Sequence, residues 1–317
     1  YIVKKKRYHI SCHLSSFGRG ARPPAECFPG GRWSGRLRLK LPLMMNGLPV
    51  GTELLRHQIA GHVFGEDERN LGMLKHPSGF VLKRIDGERG QRELDFYTKV
   101  FSSSEKTCTM LKNFLPSYHG IYTTEFQGSK LAYIQLDDIT AGYKHPCIMD
   151  IKMGKQTWNP HASDKKRARE ESKYRETKEK FGFSIPGFRV YDLVKETEII
   201  RGKEYGKSLT ADTLTQAFLL FLNNSNHGYK IVANKFLTEL TKIHDYFDQQ
   251  NSFHFFASSL LFVYDAAYLT IPGSVDIPVT LKMIDFAHVF PGSGQKDLNY
   301  LFGLKSLVQL FQEITAE

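Results

Sequence analysis

Cysteine and long apolar stretches are both scarce in this sequence. Four cysteines occur in 317 residues, and none stands in a CxxC motif or at a metal-binding distance from a histidine. This excludes a disulfide scaffold, argues against a structural zinc site and favours reduced thiols in a protein of the nucleus and cytoplasm. No segment approaches the roughly 18 consecutive apolar residues of a transmembrane helix, so we predict no membrane span.

Acidic residues are nearly missing from one segment, and this explains the basic character of the chain. The net charge is +10, yet residues 1–45 hold ten basic residues and a single acidic one, so the remainder is almost neutral. This leader is rich in Gly, Pro, Arg and Ser without an apolar period, which predicts disorder. We expect this leader to be either a fragment or a mispredicted upstream extension, with the working protein starting near Met44. A nucleic-acid-binding role rests on the leader and is therefore disfavoured.

Apolar patterns in the rest of the chain predict an α+β fold with two lobes. Residues 57–85 form short apolar runs separated by a turn at Pro77-Ser78-Gly79, which predicts a small antiparallel sheet. Residues 92–101 repeat apolar side chains at helical spacing, which predicts a helix packed on that sheet. The predicted organisation is a leader, a small β-rich lobe and a larger α+β lobe, over residues 1–45, 46–140 and 141–317.

Three segments of the larger lobe have regular patterns of their own. Residues 255–265 and 279–290 are predicted to be paired strands, and residues 298–314 a closing amphipathic helix. Between them and the first lobe, the pattern of residues 163–181 predicts one charged helical segment.

The segment Pro146–Gly154 (PCIMDIKMG) carries the strongest chemical signal. Alternate residues of a strand share a face, so Asp150 and Lys152 should lie side by side while the apolar residues between them are buried behind. A carboxylate can accept the proton of an attacking hydroxyl, and an ammonium can stabilise the charge of a transferred phosphoryl group. Taken alone, such a pair is more often a surface ion pair, whereas Gly154 indicates a close approach of backbone or substrate.

The same segment resembles the PxxxDxKxG motif of the inositol polyphosphate kinase family. Two further family-like segments follow in the family's order, Ser258–Leu261 (SSLL) and Ile284–His288 (IDFAH), and the resemblance covers roughly residues 48–314. Within the family the sequence is most similar to the multikinases. The resemblance implies a protein-kinase-like (ATP-grasp/kinase-like) fold with ATP between two lobes. It also implies transfer of the γ-phosphoryl group to hydroxyls of inositol trisphosphate and tetrakisphosphate, and it leaves a phosphatidylinositol bisphosphate lipid open as a further substrate.

The resemblance assigns nucleotide-binding roles to five residues. Lys83 corresponds to the lysine that holds the ATP phosphates, and Glu93 to its ion-pair partner. Asp137 and Asp138 fall at the hinge, where a carboxylate can accept from ribose. Asp285 corresponds to the aspartate that binds Mg²⁺ bridging the nucleotide phosphates.

Cations are required to bind a ring that carries several phosphates. Lys166, Arg169 and Lys173 follow at helical spacing within the charged segment, and Arg89 follows Lys83 in a predicted loop. The resemblance implies that Lys166 and Lys173 bind substrate, although Glu170 stands where a multikinase glutamine is expected. The charge and position of Arg169 and Arg89 make them further candidates for binding substrate phosphates. His288 is assigned either to the substrate or to the core as a hydrogen-bonded histidine.

Other functions are weighed against the multikinase. An inositol hexakisphosphate kinase or an inositol trisphosphate 3-kinase is the alternative within the family, and the short segment 155–181 argues against the latter. A non-catalytic scaffold with protein partners is the alternative from another class. Retention of Lys83, Asp150, Lys152 and Asp285 together argues against the scaffold.

Overall fold

The structure is a computed structural model that describes residues 47–55, 59, 72–271 and 273–316. The predicted leader, the expected start at Met44 and most of residues 57–71 lie outside these ranges. The described residues belong to one compact unit, Met44–Glu317. No helix within them is both long and apolar enough to span a membrane.

The first sheet is antiparallel and is built from the β-rich part of the chain. Its strand order is β1-β2-β3-β5-β4, with β3 in the middle. The turn predicted at Pro77-Ser78-Gly79 joins β2 to β3, and Gly79 adopts a φ of 88° there. The strands are Glu53–Leu54 (β1), Met73–His76 (β2), Phe80–Arg84 (β3), Tyr118–Phe126 (β4) and Ser129–Asp137 (β5).

The second sheet places the predicted catalytic strand at its centre. Its order is β11-β10-β6-β7-β8, and all of its pairs are antiparallel. The predicted pairing of residues 255–265 with 279–290 is confirmed by the pairing of β10 with β11. The strands are Pro146–Met153 (β6), Phe183–Asp192 (β7), Thr197–Arg201 (β8), Ser259–Asp265 (β10) and Val279–Ile284 (β11), while Phe253–Phe255 (β9) pairs with Val289–Pro291 (β12).

Eight α-helices occur among the described residues, and most pack against the second sheet. They are Gly87–Ser102 (α1), Lys106–Lys112 (α2), Asp164–Ser172 (α3), Arg175–Phe181 (α4), Lys203–Ser208 (α5), Leu214–Phe221 (α6), Tyr229–Gln249 (α7) and Leu298–Ala316 (α8), with a 3₁₀ turn at Ala266–Thr270. The closing helix predicted over residues 298–314 is thus α8.

Helix α1 connects the two sheets through its apolar face. Leu94, Tyr97 and Val100 recur at helical spacing and are buried. Phe96 stacks on Phe286, with ring centroids 4.4 Å apart, just after β11 ends. Burial of side chains of this size stabilises the fold by roughly 1.5–3 kcal/mol each, and it fixes the end of β11 against α1.

Two predictions about local structure are wrong. The charged segment 163–181 is two helices, because Lys173 is extended and Tyr174 adopts a left-handed φ of 51° between α3 and α4. Arg89 lies in the first turn of α1 rather than in a loop. The boundary between lobes stays a prediction, although the chain passes from the first sheet to the second between Asp137 and Pro146.

Candidate active site

Lys83 lies at the centre of the site, between two carboxylates. Its Nζ donates to Glu93 Oε1 at 2.7 Å and to Asp285 Oδ1 at 2.5 Å. Glu93 Oε1 also accepts the backbone N–H of Phe286 at 3.1 Å. Burial alone would lower the pKa of Lys83, but the charges of Asp285 and Glu93 outweigh it and raise that pKa. The lysine is therefore a fixed cation at neutral pH.

Three different elements bring these residues together. Lys83 is on the central strand β3, Glu93 is buried on α1, and Asp285 follows the last residue of β11. Asp285 adopts a φ of 68°, a conformation that an aspartate rarely takes and that costs of order 1–3 kcal/mol. Burial would raise the pKa of Asp285, but Lys83 and Lys152 lower it, so its carboxylate is ionised.

Asp150 and Lys152 lie on β6 as the alternation predicts. Ile151 and the methionines on either side of it are fully buried, and Asp150 is itself only 4% exposed. In β7, Ile185 and Pro186 form a bulge opposite Ile151, since Gly187 pairs with Asp150 and Ser184 with Lys152. Pro186 can be accommodated there because a bulged residue is not required to donate to the ladder.

The carboxylate of Asp150 lacks a partner on one side. Its Oδ1 atom is buried and has no hydrogen-bond partner among the described residues. Burial and the nearby charge of Asp285 raise the pKa of Asp150 to about 6, although Lys152 acts in the opposite direction. A buried carboxylate that is ionised at neutral pH and keeps one oxygen without a partner is suited to receive a proton.

His288 is a neutral histidine surrounded by cations. It is 7% exposed, and its Nδ1 accepts from Asn159 Nδ2 at 3.0 Å, so the ring proton resides on Nε2. Burial, Lys166 and Arg89 lower its pKa to about 4. His288 is therefore a hydrogen-bonded histidine of the interior whose free N–H lies in a basic environment.

The two aspartates predicted at the hinge are engaged within the protein. Asp138 Oδ1 accepts from the Thr140 backbone N–H at 2.9 Å and from its hydroxyl at 2.6 Å, and Oδ2 lies 2.9 Å from Lys75 Nζ. Asp137 Oδ1 lies 2.6 Å from His119 Nε2. The carboxylate of Asp138 thus caps a turn after β5, and a ribose contact would have to compete with these bonds.

Three of the four predicted substrate-binding cations lie on α3 or at its end, and the fourth, Arg89, lies on α1. Ser163 caps the helix by accepting the Lys166 N–H, and Lys166 influences the pKa of His288. Glu170 Oε1 lies 2.8 Å from Lys173 Nζ and 3.6 Å from Arg169 Nη2. Glu170 therefore holds two of the four cations that were assigned to substrate.

Comparison with known proteins agrees with this arrangement of side chains. Residues 133–312, more than half of the chain, match the family model for inositol polyphosphate kinase. The chain belongs to the inositol polyphosphate kinase family. That family match includes Asp150, Lys152 and Asp285 but begins after Lys83 and Glu93.

Individual relatives agree with this family assignment. The chain is 35% identical to human inositol polyphosphate multikinase over 246 residues, which are 76% of this chain and 56% of the relative, so it spans little more than half of that protein. It is 30% identical to inositol polyphosphate multikinase beta of Arabidopsis thaliana, covering 81% of this chain and 92% of the relative. An inositol phosphate multikinase from S. cerevisiae, solved in complex with ADP and Mn²⁺, has the same fold. The TM-score is 0.60 at 23% identity, over 74% of this chain and 98% of that one.

The carboxylate of Asp285 in this kinase-family site fits a divalent cation that also binds nucleotide. No cluster of three or more metal-binding side chains occurs in the described part of the chain, so the protein has no self-sufficient cage there. Mg²⁺ usually needs only one or two carboxylates besides phosphates and water. Asp285 is ionised, and its side chain is 44% exposed, so its carboxylate supplies the one protein ligand that such a site requires and leaves Asp150 Oδ1 available.

Some contacts of this site were not predicted. Arg92 Nε donates to the Ala287 carbonyl oxygen at 3.0 Å; its place three residues after Arg89, on the same helix face, was the available signal. Asn159, which fixes the tautomer of His288, lies in an irregular segment that carries no periodic signal. Gly154 does permit a close approach, but of Asn299 on α8, whose side-chain nitrogen lies 2.2 Å from where a Cβ would stand.

The SSLL segment also lies at the site. Ser259 is opposite Lys152 in the pairing of β10 with β6. The hydroxyls of Ser258 and Ser259 are buried, and Ser259 acts on the carboxylate of Asp150 as a hydrogen-bond donor that lowers its pKa.

Proposed function

We propose that this chain is an inositol polyphosphate multikinase that transfers the γ-phosphoryl group of ATP to hydroxyls of inositol trisphosphate and tetrakisphosphate. One observation carries the proposal. Lys83 from the first sheet binds Asp285 at the end of the second sheet, and the charge of Asp285 acts on the carboxylate of Asp150, whose Oδ1 has no partner in the described chain. A cation for phosphates and a proton acceptor for an alcohol are therefore present in one site.

The chain's own residues have separate tasks in this reaction. Asp150 Oδ1 accepts the proton of the substrate hydroxyl while the hydroxyl oxygen bonds to the γ-phosphorus. The bond between the γ-phosphorus and the oxygen that bridges to the β-phosphate breaks, and ADP is released. Lys152, next to Asp150 on β6, stabilises negative charge on the transferred group. Lys83 holds the ATP phosphates, and Glu93 keeps its ammonium in place. The Nε2–H of His288 donates to a substrate oxygen.

Asp285 would hold Mg²⁺, which supplies charge neutralisation of the nucleotide phosphates when it is bound. The complex of the yeast relative with ADP and Mn²⁺ supports the use of a nucleotide and a divalent cation. Lys166, Arg169, Lys173 and Arg89 bind the substrate phosphates through charge-assisted hydrogen bonds.

Several features of the proposal rest on the sequence alone. They are the hinge contacts of Asp137 and Asp138, the use of a phosphoinositide lipid, the existence of protein partners, and residence in the nucleus and cytoplasm. The two described cysteines, Cys108 and Cys147, are free and buried, which agrees with the predicted reduced thiols.

The test is to incubate the full chain with Mg·ATP and a panel of inositol phosphates from trisphosphate to hexakisphosphate, and to resolve the products by chromatography. We expect phosphorylation of the trisphosphate and tetrakisphosphate, and no product after chelation of the metal. Asp150→Asn is the matched inactive control. Turnover of the hexakisphosphate alone would favour the hexakisphosphate kinase, and no turnover of any member would favour the scaffold.

A further inference from the structure

Lys178 is a buried lysine that the proposed chemistry does not use. It lies in α4 and is 3% exposed. Its ammonium donates to the backbone carbonyl oxygen of Glu170 in α3, and no ion pair joins it to a carboxylate among the described residues. Burial lowers the pKa of Lys178 to about 8, although Glu170 acts in the opposite direction.

Filling the space between α3 and α4 with an ammonium group has a large desolvation cost. A buried ammonium with one carbonyl partner loses most of its hydration. Methionine has a similar length and would fill the same volume without that loss. The benefit of the ammonium must therefore come from its bond to Glu170.

That bond completes the end of α3. The helix ends at Ser172, and its C-cap residue Lys173 is extended. No backbone N–H of the described chain outside α3 reaches the Glu170 carbonyl oxygen. Lys178 supplies the missing donor from the next helix, and a cation is favourable at a helix C-terminus.

Glu170 links this bond to the substrate-binding cations. Its carbonyl oxygen accepts from Lys178, while its carboxylate holds Lys173 at 2.8 Å and Arg169 at 3.6 Å. The chain turns sharply at Tyr174, so the backbone of α3 does not continue into α4. Lys178 is thus a side-chain tie across this turn.

We propose that Lys178 is a positioning residue: its bond to the Glu170 carbonyl fixes the last turn of α3 and so holds Arg169 and Lys173 in place for the phosphates of the substrate. The inference rests on the proposed function, and it adds a residue that touches neither substrate nor nucleotide.

The test compares Lys178→Met with Lys180→Met, an exposed lysine on the same helix, in the full chain. For Lys178→Met we expect the KM for inositol tetrakisphosphate to rise about tenfold, while kcat and the KM for ATP change less than about twofold, because ground-state binding of one substrate is lost. Its Tm should be unchanged or higher. A lower Tm with an unchanged KM for the inositol phosphate would overturn the proposal, because a merely structural role gives that result.

A double variant tests the route through Lys173. If Lys178 acts through Glu170 and Lys173, Lys178→Met should add little to the rise in KM caused by Lys173→Gln. Two fully additive effects would overturn the proposal.

Should Lys178→Met not fold, Lys178→Gln serves instead. Its shorter side chain cannot reach the carbonyl, so the same rise in KM is expected and an unchanged KM refutes the idea. Absence of any turnover by the unmodified chain would sink the proposed function as well, whereas normal turnover with an unchanged KM in the variants would sink only this inference.

Discussion

Asp150 has a free-energy cost in the ligand-free protein as well as its proposed role in the reaction. Its carboxylate is 4% exposed, and one of its oxygens has no partner in the described chain. The folded protein therefore favours the protonated form, which raises the pKa of Asp150 to about 6. Above pH 6 the native state holds an ionised carboxylate that the unfolded chain solvates better, so the residue opposes folding at the pH where the proposed base must be ionised.

Asp150→Asn should lower turnover by about 10² or more, since a positioned proton acceptor contributes 10²–10⁴, and should also stabilise the ligand-free protein. At pH 7.5 the gain in unfolding free energy should be on the order of 2–3 kcal/mol. It should disappear below about pH 4, because the aspartate is then protonated in both the folded and the unfolded state. Urea denaturation at the two pH values measures this, with the exposed Asp212→Asn as control. A destabilised variant at pH 7.5 would contradict the unpartnered carboxylate.

The same pKa predicts the acid limb of the pH profile. Because Asp150 must be ionised to accept a proton, kcat/KM should fall about tenfold per unit on the acid side of the pKa of Asp150. Mg²⁺ bound to Asp285 would offset the charge that helps to raise this pKa, so the acid limb should move to lower pH as the metal concentration rises. Steady-state rates between pH 4.5 and 8 at limiting and at saturating Mg²⁺ provide the measurement. A flat profile over this range would remove Asp150 from the role of base.

At the scale of elements, α8 holds the chain just after β6 and just after α4 through close contacts of Asn299 and Gly303. Gly303 on α8 lies against Gly182, which follows α4 with a φ of 71°. A Cβ at Gly303 would stand 2.4 Å from the Gly182 carbonyl oxygen. Asn299, one turn earlier on α8, accepts the Gln156 N–H at 2.9 Å and donates to the Gln156 carbonyl oxygen at 3.0 Å.

Gly303→Ala should destabilise the protein although it removes a glycine from a helix. Helix propensity favours alanine by about 1 kcal/mol, but overpacking against a fixed backbone costs typically 1–3 kcal/mol, and the clash is with backbone. The Tm should therefore fall. Gly47→Ala is the control, since a Cβ there meets nothing within 4 Å and Gly47 does not cap a helix. A Tm above that of the unmodified chain would show that α8 can move away.

Elements with a regular period could be predicted from the sequence, and those that depend on one residue could not. The alternation of Asp150 and Lys152 with buried Ile151 and its neighbours was sufficient to place β6, and the paired strands β10 and β11 were predicted in the same way. The break between α3 and α4 was missed because Tyr174 is an unusual residue for a left-handed conformation. Likewise, the carbonyl that Lys178 binds is a feature of the backbone and leaves no trace in residue type.

At the scale of the whole molecule, positive charge is concentrated in two separate stretches of the sequence. Residues 1–45 carry nearly all of the net charge, whereas the cations of α3 lie in the second half of the chain, and one of them, Lys166, lowers the pKa of His288. A polyanion that binds by charge alone should depend on the first group, and an inositol phosphate undergoing reaction on the second.

A two-by-two comparison separates these roles. Changing Lys166 and Lys173 to Glu should raise the KM for inositol phosphates strongly, since two attractions become repulsions, and leave the KM for ATP nearly constant. Deleting residues 1–43 should leave kinase activity nearly unchanged and weaken salt-sensitive binding to heparin. Both variants are measured in both assays. Loss of catalysis on deletion, with the α3 variant unaffected, would place the substrate site elsewhere.

The exposure of α3 has a consequence for how such a protein can change during evolution. Helix α3 has no buried residue. It lies between β6 and β7 in the chain, and these two strands are held in the sheet by their own hydrogen bonds. Substitutions on α3 thus cost the core little, while those on β6 or at Asp285 alter the chemistry itself. Substrate preference can therefore change through substitutions on one short helix, while the residues proposed for the reaction on β6 and at Asp285 stay the same.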